Sequence, residues 1–471
     1  MKALSIHAHF YQPPREDPLT GELPVEKGAA PYHDFNEKIL AECYRPNAIL
    51  GNFEYISFNV GATLMNWLQN NDQVTYRRIR AQDKAAFLRS GVGNAIAQPY
   101  FHVILPLANR REKETQIHWG IMDFVKHFGR IPKGMWLPET AVDYETLSLV
   151  AQHGIQYTIL APWQARENGL DPTKPYLVKL DNGDEITVFF YHDSLSGGVS
   201  FHPNMTENAY EFVEKQLESK YFGAQDQLML IASDGELYGH HKKFRDWFLA
   251  YLVQSACQQK AIEITTPGLW LKSHPPKETI GIQENTSWSC HHGIARWSED
   301  CGCTPGNGKW KRVLRQAFDR LASTLDDVFS SEGTLLGIDP WEMRNRYISV
   351  LSKELSFTDF LSEFSLNAYP SWKVHQLELL MRSQFERLRM FTSCGWFFDR
   401  FDRIETRNNV AYAAHALWLA YLATGINLSD QFEEDLLDVH RSDISISGQE
   451  IYQDSIEKIS RYYDRKKIIS R

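Results

Sequence analysis

The chain has 471 residues, of which 43% are hydrophobic and 23% are charged, a balance that excludes a disordered or fibrous protein. Its 50 basic and 59 acidic residues give a net charge of −9 without any basic block, which argues against nucleic acid or an anionic membrane as the main partner. The length exceeds one ordinary compact core, so the sequence predicts two domains unless the first is a large barrel.

The sequence shows neither a secretion signal nor a membrane span. The N-terminal stretch MKALSIHAHF lacks a long apolar core and a small-residue cleavage site. The longest apolar run, residues 410–423, is interrupted by His415 and is shorter than a membrane span, so it predicts a buried helix. We therefore predict a cytoplasmic protein with no membrane partner, in which cysteines are expected to be free thiols. The six cysteines are Cys43, Cys257, Cys290, Cys301, Cys303 and Cys394.

Short apolar runs alternate with helical segments through about the first 270 residues. Most runs are continuously apolar, which is typical of parallel strands buried on both faces, and their alternation with helices predicts βα units that form a barrel. A pair of runs at residues 176–180 and 186–191, around Asn182-Gly183, predicts an inserted β-hairpin. The predicted barrel strands are residues 3–6, 55–60, 93–97, 134–137, 157–161, 186–191, 228–232 and 262–265.

Polar and aromatic residues follow nearly every predicted strand. Active sites of βα barrels form at the C-terminal ends of the strands, so this distribution predicts a functional site there. The residues in question are His7, His9, Asn59, Gln98, Glu139, Trp163, His192, Asp193 and Asp234.

After about residue 275 the pattern becomes helical. Apolar residues recur at helical spacing in 313–328 and 374–388, and the run 410–423 ends at Gly425, a residue typical of helix ends. We therefore predict a barrel domain at residues 1–275 and an α-helical domain at residues 276–471. A Gly-, Cys- and Trp-rich loop, residues 286–310, is expected near the cleft.

Acidic residues follow two of the predicted strands, in the stretches GMWLPETAVD and ASDGELYGHH. The first places Glu139 at a strand end, and the second places Asp234 and Glu236 at another. Glycoside hydrolysis uses such a pair, one carboxylate to attack the anomeric carbon and one carboxylic acid to protonate the departing oxygen. Helix N-caps and surface ion pairs use the same residue types, so these residues alone leave both interpretations open.

The stretches HAHFYQP, GNAIAQPYFHVILPL, MWLPET and DGELYGH occur in this order within residues 1–270, and together they make the chain resemble glycoside hydrolase family 57. The stretch HAHFYQP, with His7 and His9, is similar to the family's first motif, although two aromatic residues precede its Gln. The stretch GNAIAQPYFHVILPL is similar to the second motif and places its histidine at His102. The stretch FTSCGWFFDR is similar to a fifth motif and implies that Trp396 lines the sugar cleft, but Cys394 replaces the usual acid after the serine.

The third and fourth motifs of this family carry the catalytic acids. MWLPET resembles the third, which implies that Glu139 is the nucleophile. DGELYGH resembles the fourth, which implies that Asp234 is the general acid/base and brings His240 to the substrate. Glu236 is then expected to hydrogen-bond the following turn or to brace His240. Asp234 should be protonated while Glu139 is ionised, because a nearby negative charge raises its pKa.

The resemblance also implies the fold and the reaction. Members of this family have a distorted seven-stranded (β/α) barrel followed by a helical domain, and they act mainly on α-glucans by a retaining mechanism. We therefore expect double displacement through a glycosyl-enzyme intermediate, of the amylase, 4-α-glucanotransferase or branching type, with no cofactor. Water as acceptor gives hydrolysis, and a second glucan gives transfer. The chain after residue 286 resembles a domain of unknown function that accompanies a subset of the family.

The histidines leave two other functions open. His7 and His9 are predicted to contact sugar hydroxyls, but His-x-His is also a common metal-ligand spacing, and either residue can be a core histidine. A metal site here would indicate a carbohydrate deacetylase-like hydrolase. A non-catalytic glucan-binding protein is the third possibility, because some family members have lost a catalytic acid.

Two further features involve tryptophan and cysteine. Trp163 and Trp396 are predicted to be stacking platforms for sugar rings. Cys290-His291-His292 followed by Cys301-Gly302-Cys303 is compatible with a zinc site or with free thiols that order a loop, and the irregular spacing does not decide between them.

Overall fold

The computed structural model describes residues 1–469, and the chain divides into two compact units. Unit 1 comprises Met1–Gln12, Val25–Tyr100 and Gly120–Ser289, and unit 2 comprises Pro13–Pro24, Phe101–Trp119 and the chain from Cys290 onward. The predicted domain boundary after residue 275 lies inside unit 1.

Unit 1 contains two β-sheets. In the first, β1 pairs in parallel with β2, β6 and β7. In the second, β5 pairs in parallel with β3 and antiparallel with β4, and the β4–β5 pair is the predicted hairpin. The strands are β1 (Lys2–Phe10), β2 (Ser57–Val60), β3 (Tyr157–Leu160), β4 (Tyr176–Lys179), β5 (Glu185–Phe190), β6 (Gln227–Asp234) and β7 (Ile262–Ile264).

Two of the predicted strands, residues 93–97 and 134–137, form single parallel bridges instead of strands. Phe58 of β2 bridges Ala95, Ala97 bridges Met135, and Gly134 bridges Tyr157 of β3. Gly and Pro border both runs, and these residues limit the length of a ladder because they pack poorly or lack an N–H. The sheets therefore give a mixed α/β unit, and the seven-stranded barrel stays a prediction.

Side chains of the strands and bridges, together with Trp270 of the helix Pro267–Ser273, pack into one buried cluster. The cluster contains Ala3, Ile96, Trp136, Tyr157, Ile159, Ala161, Phe189, Tyr191, Leu228, Leu230, Ala232 and Trp270. Because the pairings are parallel, the carboxyl ends of β1, β2 and β6 meet at one edge. In this register His9 lies beside Asp234 on one side and Asn59 on the other.

The remaining structure is helical. The α-helices before residue 275 are Phe35–Ile39, Arg45–Leu50, Ala62–Asn71, Gln73–Ser90, Arg110–Phe128, Tyr144–Gln152, Asp193–Phe201, Ala209–Phe212, Arg245–Tyr251, Cys257–Gln259 and Pro267–Ser273. Those after residue 300 are Trp310–Leu335, Pro340–Arg346, Ile348–Leu351, Phe357–Ser362, Ser371–Arg389, Cys394–Phe397, Ile404–Thr424, Ser429–Leu436 and Gly448–Ile469. The helical interpretation of the second half is confirmed, and Gly425, with φ 73°, ends the helix Ile404–Thr424 as predicted.

Unit 2 encloses buried charges as well as apolar side chains. Arg387 makes ion pairs with Glu112 and with Asp326, the latter at 2.8 Å. Arg344 donates hydrogen bonds to Gln384 at 2.9 Å and to the Thr115 hydroxyl at 3.2 Å. These partners offset part of the cost of burying the two guanidinium groups, although the Arg387 Nη1 has no hydrogen-bond partner in the described part of the chain.

Within residues 1–469, no helix combines the length and apolar character needed to cross a membrane.

Candidate active site

Glu139 lies on a strained turn directly after the bridge at residues 134–136. Its backbone is left-handed, with φ 57° and ψ 19°, and Thr140 follows with φ 50°. Non-glycine residues rarely adopt this conformation, and it persists where surrounding contacts fix it, often at functional sites. The Glu139 carbonyl is one such contact, because it accepts a hydrogen bond from the Trp288 N–H at 3.0 Å.

The Glu139 carboxylate is held by two side-chain donors. Its Oε2 accepts a hydrogen bond from the Trp288 indole Nε1 at 3.0 Å and another from the Ser289 hydroxyl at 2.7 Å. Donors of this kind stabilise the ionised form and fix the direction of the carboxylate. Nothing in the sequence pairs either donor with Glu139, and the one signal for both is their place in the Gly-, Cys- and Trp-rich segment 286–310.

Asp234 is the last residue of β6. The residue as a whole is exposed, but desolvation of its carboxyl raises the pKa to about 7. The negative charge of Glu139 adds a smaller upward shift of this pKa. Asp234 and Glu139 therefore interact electrostatically. A carboxyl with this pKa is partly protonated near neutral pH and can donate a proton.

Glu236 faces a different environment, two residues further on. Its side chain is buried, and Oε1 accepts hydrogen bonds from the Tyr11 N–H at 3.1 Å and the Tyr44 hydroxyl at 2.7 Å. Burial raises the pKa of Glu236 to about 8, against the opposing effect of the Tyr44 hydrogen bond. The Glu236 carbonyl accepts from the His240 N–H at 3.0 Å. Glu236 thus ties the end of β1 and the turn after β6 together.

His7 and His9 stack on Trp136 and share one amide. Their ring centroids lie 4.8 and 5.2 Å from that of Trp136. His7 Nε2 and His9 Nδ1 each lie 3.2 Å from the Asn59 Oδ1. Burial lowers the pKa of His7 to about 3 and that of His9 to about 4, so both imidazoles are neutral at physiological pH. His7 is fully buried, whereas His9 is 6% exposed.

These contacts bear on the metal interpretation of the His7-x-His9 pair. The ring nitrogens that face Asn59 are already engaged by its side-chain amide. Among the described residues, the one cluster of three or more His, Cys, Asp or Glu side chains with metal-binding geometry lies elsewhere in the chain and includes neither histidine.

Of two further predicted residues of unit 1, His240 lies in a turn and Trp163 lies in the short 3₁₀ helix Pro162–Gln164. His240 Nδ1 pairs with Glu42 Oε2 at 2.5 Å. Gly239 makes this approach possible, because with φ 138° a Cβ there would lie 2.2 Å from the Glu42 carbonyl oxygen. Trp163 is 42% exposed, and its Nε1 donates to the Ser287 carbonyl at 2.9 Å, which orients the indole.

The other predicted substrate-binding residues belong to unit 2. His102, with φ 54°, is buried, and its Nδ1 lies 2.7 Å from the Ser393 hydroxyl oxygen. Trp396 is 1% exposed and packs edge-on against Phe318 and stacked against Phe391. Contact of either residue with a substrate stays a prediction.

The chain is similar to known enzymes over about half of its length. It is 21% identical over 247 residues to an alpha-amylase of Pyrococcus abyssi, a match that covers 50% of this chain and 36% of that protein. It is 22% identical over 269 residues to a 4-alpha-glucanotransferase of Thermococcus litoralis, a match that covers 54% of this chain and 39% of that protein. The matched region thus spans less than two fifths of these curated relatives.

Solved structures share the fold over nearly the whole chain. An exo-type maltose-forming amylase from Pyrococcus sp. ST04 has a TM-score of 0.74 at 16% identity and covers 93% of this chain and 83% of its own. A GH57-type branching enzyme from Pyrococcus horikoshii has a TM-score of 0.62 at 16% identity and covers 92% of this chain and 94% of its own. At this identity the likeness establishes the fold alone.

Family models divide the chain into two parts. A model of a domain of unknown function (DUF3536) matches residues 307–467. The model of glycosyl hydrolase family 57 matches residues 18–283, which is more than half of the chain and includes both Glu139 and Asp234. The chain therefore belongs to glycosyl hydrolase family 57.

Proposed function

We propose that this protein is a retaining glycoside hydrolase or transglycosylase of α-glucans, with Glu139 as nucleophile and Asp234 as general acid/base. The observation that carries the proposal is the contrast between the two carboxyl groups. Two hydrogen-bond donors favour the ionised form of Glu139, while the pKa of Asp234 is raised to about 7, partly by the charge of Glu139. A nucleophile must be ionised and a general acid protonated, and these environments favour that division.

In the first half of the reaction, Glu139 attacks the anomeric carbon and forms a glycosyl ester. Asp234 gives its proton to the departing glycosidic oxygen, so the leaving chain departs as a neutral alcohol. In the second half, the Asp234 carboxylate takes a proton from an acceptor hydroxyl, which attacks the ester and releases Glu139. Trp288 and Ser289 hold the attacking carboxylate in one orientation between turnovers.

The neighbouring histidines and tryptophan supply the proposed sugar-binding groups. His9 lies beside Asp234 in the sheet register, and its neutral ring can exchange hydrogen bonds with a sugar hydroxyl. His7, which has no exposed surface, acts through the Asn59 amide that it shares with His9. The exposed indole of Trp163, fixed by Ser287, offers an apolar face for a pyranose ring.

We further propose that seven parallel segments close into a barrel that carries these groups. The bridges at residues 95–97 and 134–135 connect β2 to β3. After β5, the His192 N–H donates to the Leu230 carbonyl of β6 at 2.7 Å, which supports closure of the ring. A closed barrel would place the ends of all seven segments, with Glu139 and Asp234, around one opening.

The α-glucan substrate is inferred from the names of the relatives, which describe amylases, a glucanotransferase and a branching enzyme. Hydrolysis and transfer both begin with cleavage of a glycosidic linkage, and they differ in whether water or a second glucan is the acceptor. Hydrolysis and transfer therefore use the same two acids in this chain.

Product analysis on maltooligosaccharides and amylose tests the proposal. We expect the wild type to cleave these substrates with retained anomeric configuration, measured by proton NMR, and Glu139→Gln and Asp234→Asn to be at least about 10²-fold slower. Glu185→Gln and Asp181→Asn are matched controls, because both residues are exposed in unit 1 and away from the proposed site. Folded Glu139→Gln or Asp234→Asn with wild-type rates, or an inverted product, would contradict the assignment.

A further inference from the structure

A cluster of sulfur and nitrogen atoms lies within unit 2, separate from the acids described above. One candidate ligand atom from each of Cys290, His292, Cys301 and Cys303 lies within 4.8 Å of the other three. The Cys290 and Cys303 sulfurs are 3.7 Å apart, and the His292 Nδ1 is 3.2 Å from the Cys303 sulfur. A tetrahedral zinc ion with Zn–S bonds of about 2.3 Å places two ligand sulfurs about 3.8 Å apart.

We propose that Cys290, His292, Cys301 and Cys303 together bind one zinc ion. Three thiolates and one imidazole fill the four positions of a tetrahedron, and this donor set favours zinc over the harder divalent cations. With all four positions occupied by protein, no position is open for water or substrate. The site is therefore structural rather than catalytic.

The backbone of the second ligand pair is shaped for convergence. Gly302, between the two cysteines, has φ 71°, a left-handed conformation that turns the chain sharply and that glycine adopts without strain. The Asp300 carboxylate accepts hydrogen bonds from the Gly302 N–H at 3.3 Å and the Gly308 N–H at 3.0 Å. These contacts hold the loop that presents Cys301 and Cys303 independently of any thiol chemistry.

The segment that contains the cluster has little regular structure of its own. Between Cys290 and Cys303 the structure shows one short helical turn, Ala295–Trp297. Such a segment gains order from a bound ion, because the metal-binding free energy adds to the folding free energy.

The charge around the cluster also suits a thiolate site. Zinc with three thiolates and a neutral imidazole carries a net charge of −1. Lys311 is 1% exposed, its Nζ donates to the Arg296 carbonyl at 3.1 Å, and it interacts electrostatically with Cys301 and Cys290. This buried ammonium group offsets the charge of the site.

A disulfide is the competing arrangement. A disulfide needs a sulfur–sulfur distance of about 2.05 Å, and all six cysteines of the chain are free. A disulfide would also use only two of the three cysteines and would leave the third cysteine and His292 without a role. A zinc ion bound by all four residues accounts for every residue of the cluster.

Metal analysis of the full-length chain tests the proposal. The protein is purified from zinc-supplemented medium without chelator, and its metal content is measured by inductively coupled plasma mass spectrometry. We expect one zinc per chain in the wild type and only background zinc in Cys303→Ser and His292→Asn. His291→Asn and Cys394→Ser are the matched controls and should keep one zinc, because neither residue belongs to the cluster.

A second measurement covers the case in which a ligand variant fails to fold. Wild-type protein is stripped with a chelator under reducing conditions and titrated with Co²⁺ alone. We expect thiolate-to-cobalt charge-transfer bands, intense tetrahedral d–d bands that saturate at one equivalent, and a thermal midpoint that falls on stripping and recovers with zinc. Absence of both zinc and cobalt binding in folded wild type, full zinc in the folded ligand variants, or a peptide map showing a disulfide among these cysteines would overturn the proposal.

Discussion

The strand-end acids of unit 1 and the cysteine cluster of unit 2 satisfy their polar groups in opposite ways. At the strand ends, two carboxyl groups accept hydrogen bonds from protein donors: Glu139 from Trp288 and Ser289, and Glu236 from Tyr11 and Tyr44. In the cysteine cluster, four ligand atoms converge on one another.

A reacting site and a structural site differ in how the charge of each group is set. At the strand ends, two donors favour the ionised form of Glu139, while desolvation and the charge of Glu139 raise the pKa of Asp234, which is the division that a bond-breaking site needs. In the cysteine cluster, one ion bound among the three thiols and the imidazole would satisfy all four groups at once.

The largest expected effect concerns the departing oxygen. In Asp234→Asn, kcat/KM for maltooligosaccharides should fall about 10²–10⁴-fold, because a sugar alkoxide leaves poorly without a proton. The loss in kcat/KM should be much smaller for an aryl α-glucoside with an acidic phenol, which leaves as an anion; kcat should fall for both substrates, because the second step also uses Asp234 as base. Steady-state kinetics on both substrates, together with Glu139→Gln, provide the measurement.

In Glu139→Gln both substrates should be affected alike, because formation of the glycosyl ester itself is lost. An Asp234→Asn variant equally impaired in kcat/KM on the two substrates would remove Asp234 from the role of proton donor.

The pH dependence is the next largest effect. The pKa of Asp234 lies above its ordinary value, at about 7, so the carboxyl is protonated below that pH and loses its proton as the pH rises through it. We expect kcat/KM for maltooligosaccharides to fall about tenfold for each pH unit above 7. The activated aryl substrate serves as the control, since its alkaline decline should be weaker. A flat profile to pH 9 for the unactivated substrate would contradict the assigned pKa.

Local motifs in the sequence predict Glu139 and Asp234 as the two acids, but they do not predict the side chains that surround them. The donors that orient Glu139 are Trp288 and Ser289, which lie 149 and 150 positions further along the chain. No local sequence pattern predicts a pairing over that distance. The runs at 93–97 and 134–137 were apolar enough to predict strands, but bordering Gly and Pro reduce them to bridges.

The cysteine cluster is a second feature that the sequence alone does not predict. Its four residues occur at irregular spacing, with eight residues between His292 and Cys301, so the sequence alone does not decide between a zinc site and free thiols. The convergence depends on the turn at Gly302 and the contacts of Asp300, which only the folded chain shows.

Glu236 provides a smaller effect, on stability. Its folded pKa of about 8 lies above the ordinary 4.5, so the wild type loses stability as the pH rises from about 4.5 to about 8. Glu236→Gln keeps an oxygen that can accept from Tyr11 and Tyr44 but cannot ionise. Relative to wild type, we expect the variant to gain on the order of 2 kcal/mol in free energy of unfolding at pH 9 compared with pH 5. Denaturant unfolding at both pH values provides the measurement, and an equal difference at the two values would show that Glu236 is not held neutral by burial.

The smallest effect tests the separation of the two sites most directly, because Ser289 immediately precedes Cys290 in the chain. Ser289→Ala removes one hydrogen bond to a charged carboxylate and should lower kcat/KM about tenfold, since such a bond contributes roughly 1.5–3 kcal/mol and Trp288 remains. Trp288→Phe, which removes the other donor and keeps an aromatic ring, should lower it to a similar extent. Both variants should still bind one zinc per chain, because neither residue is a ligand of the proposed site. If Ser289→Ala instead lost zinc and kept wild-type activity, we would conclude that the serine supports the cysteine cluster rather than the nucleophile.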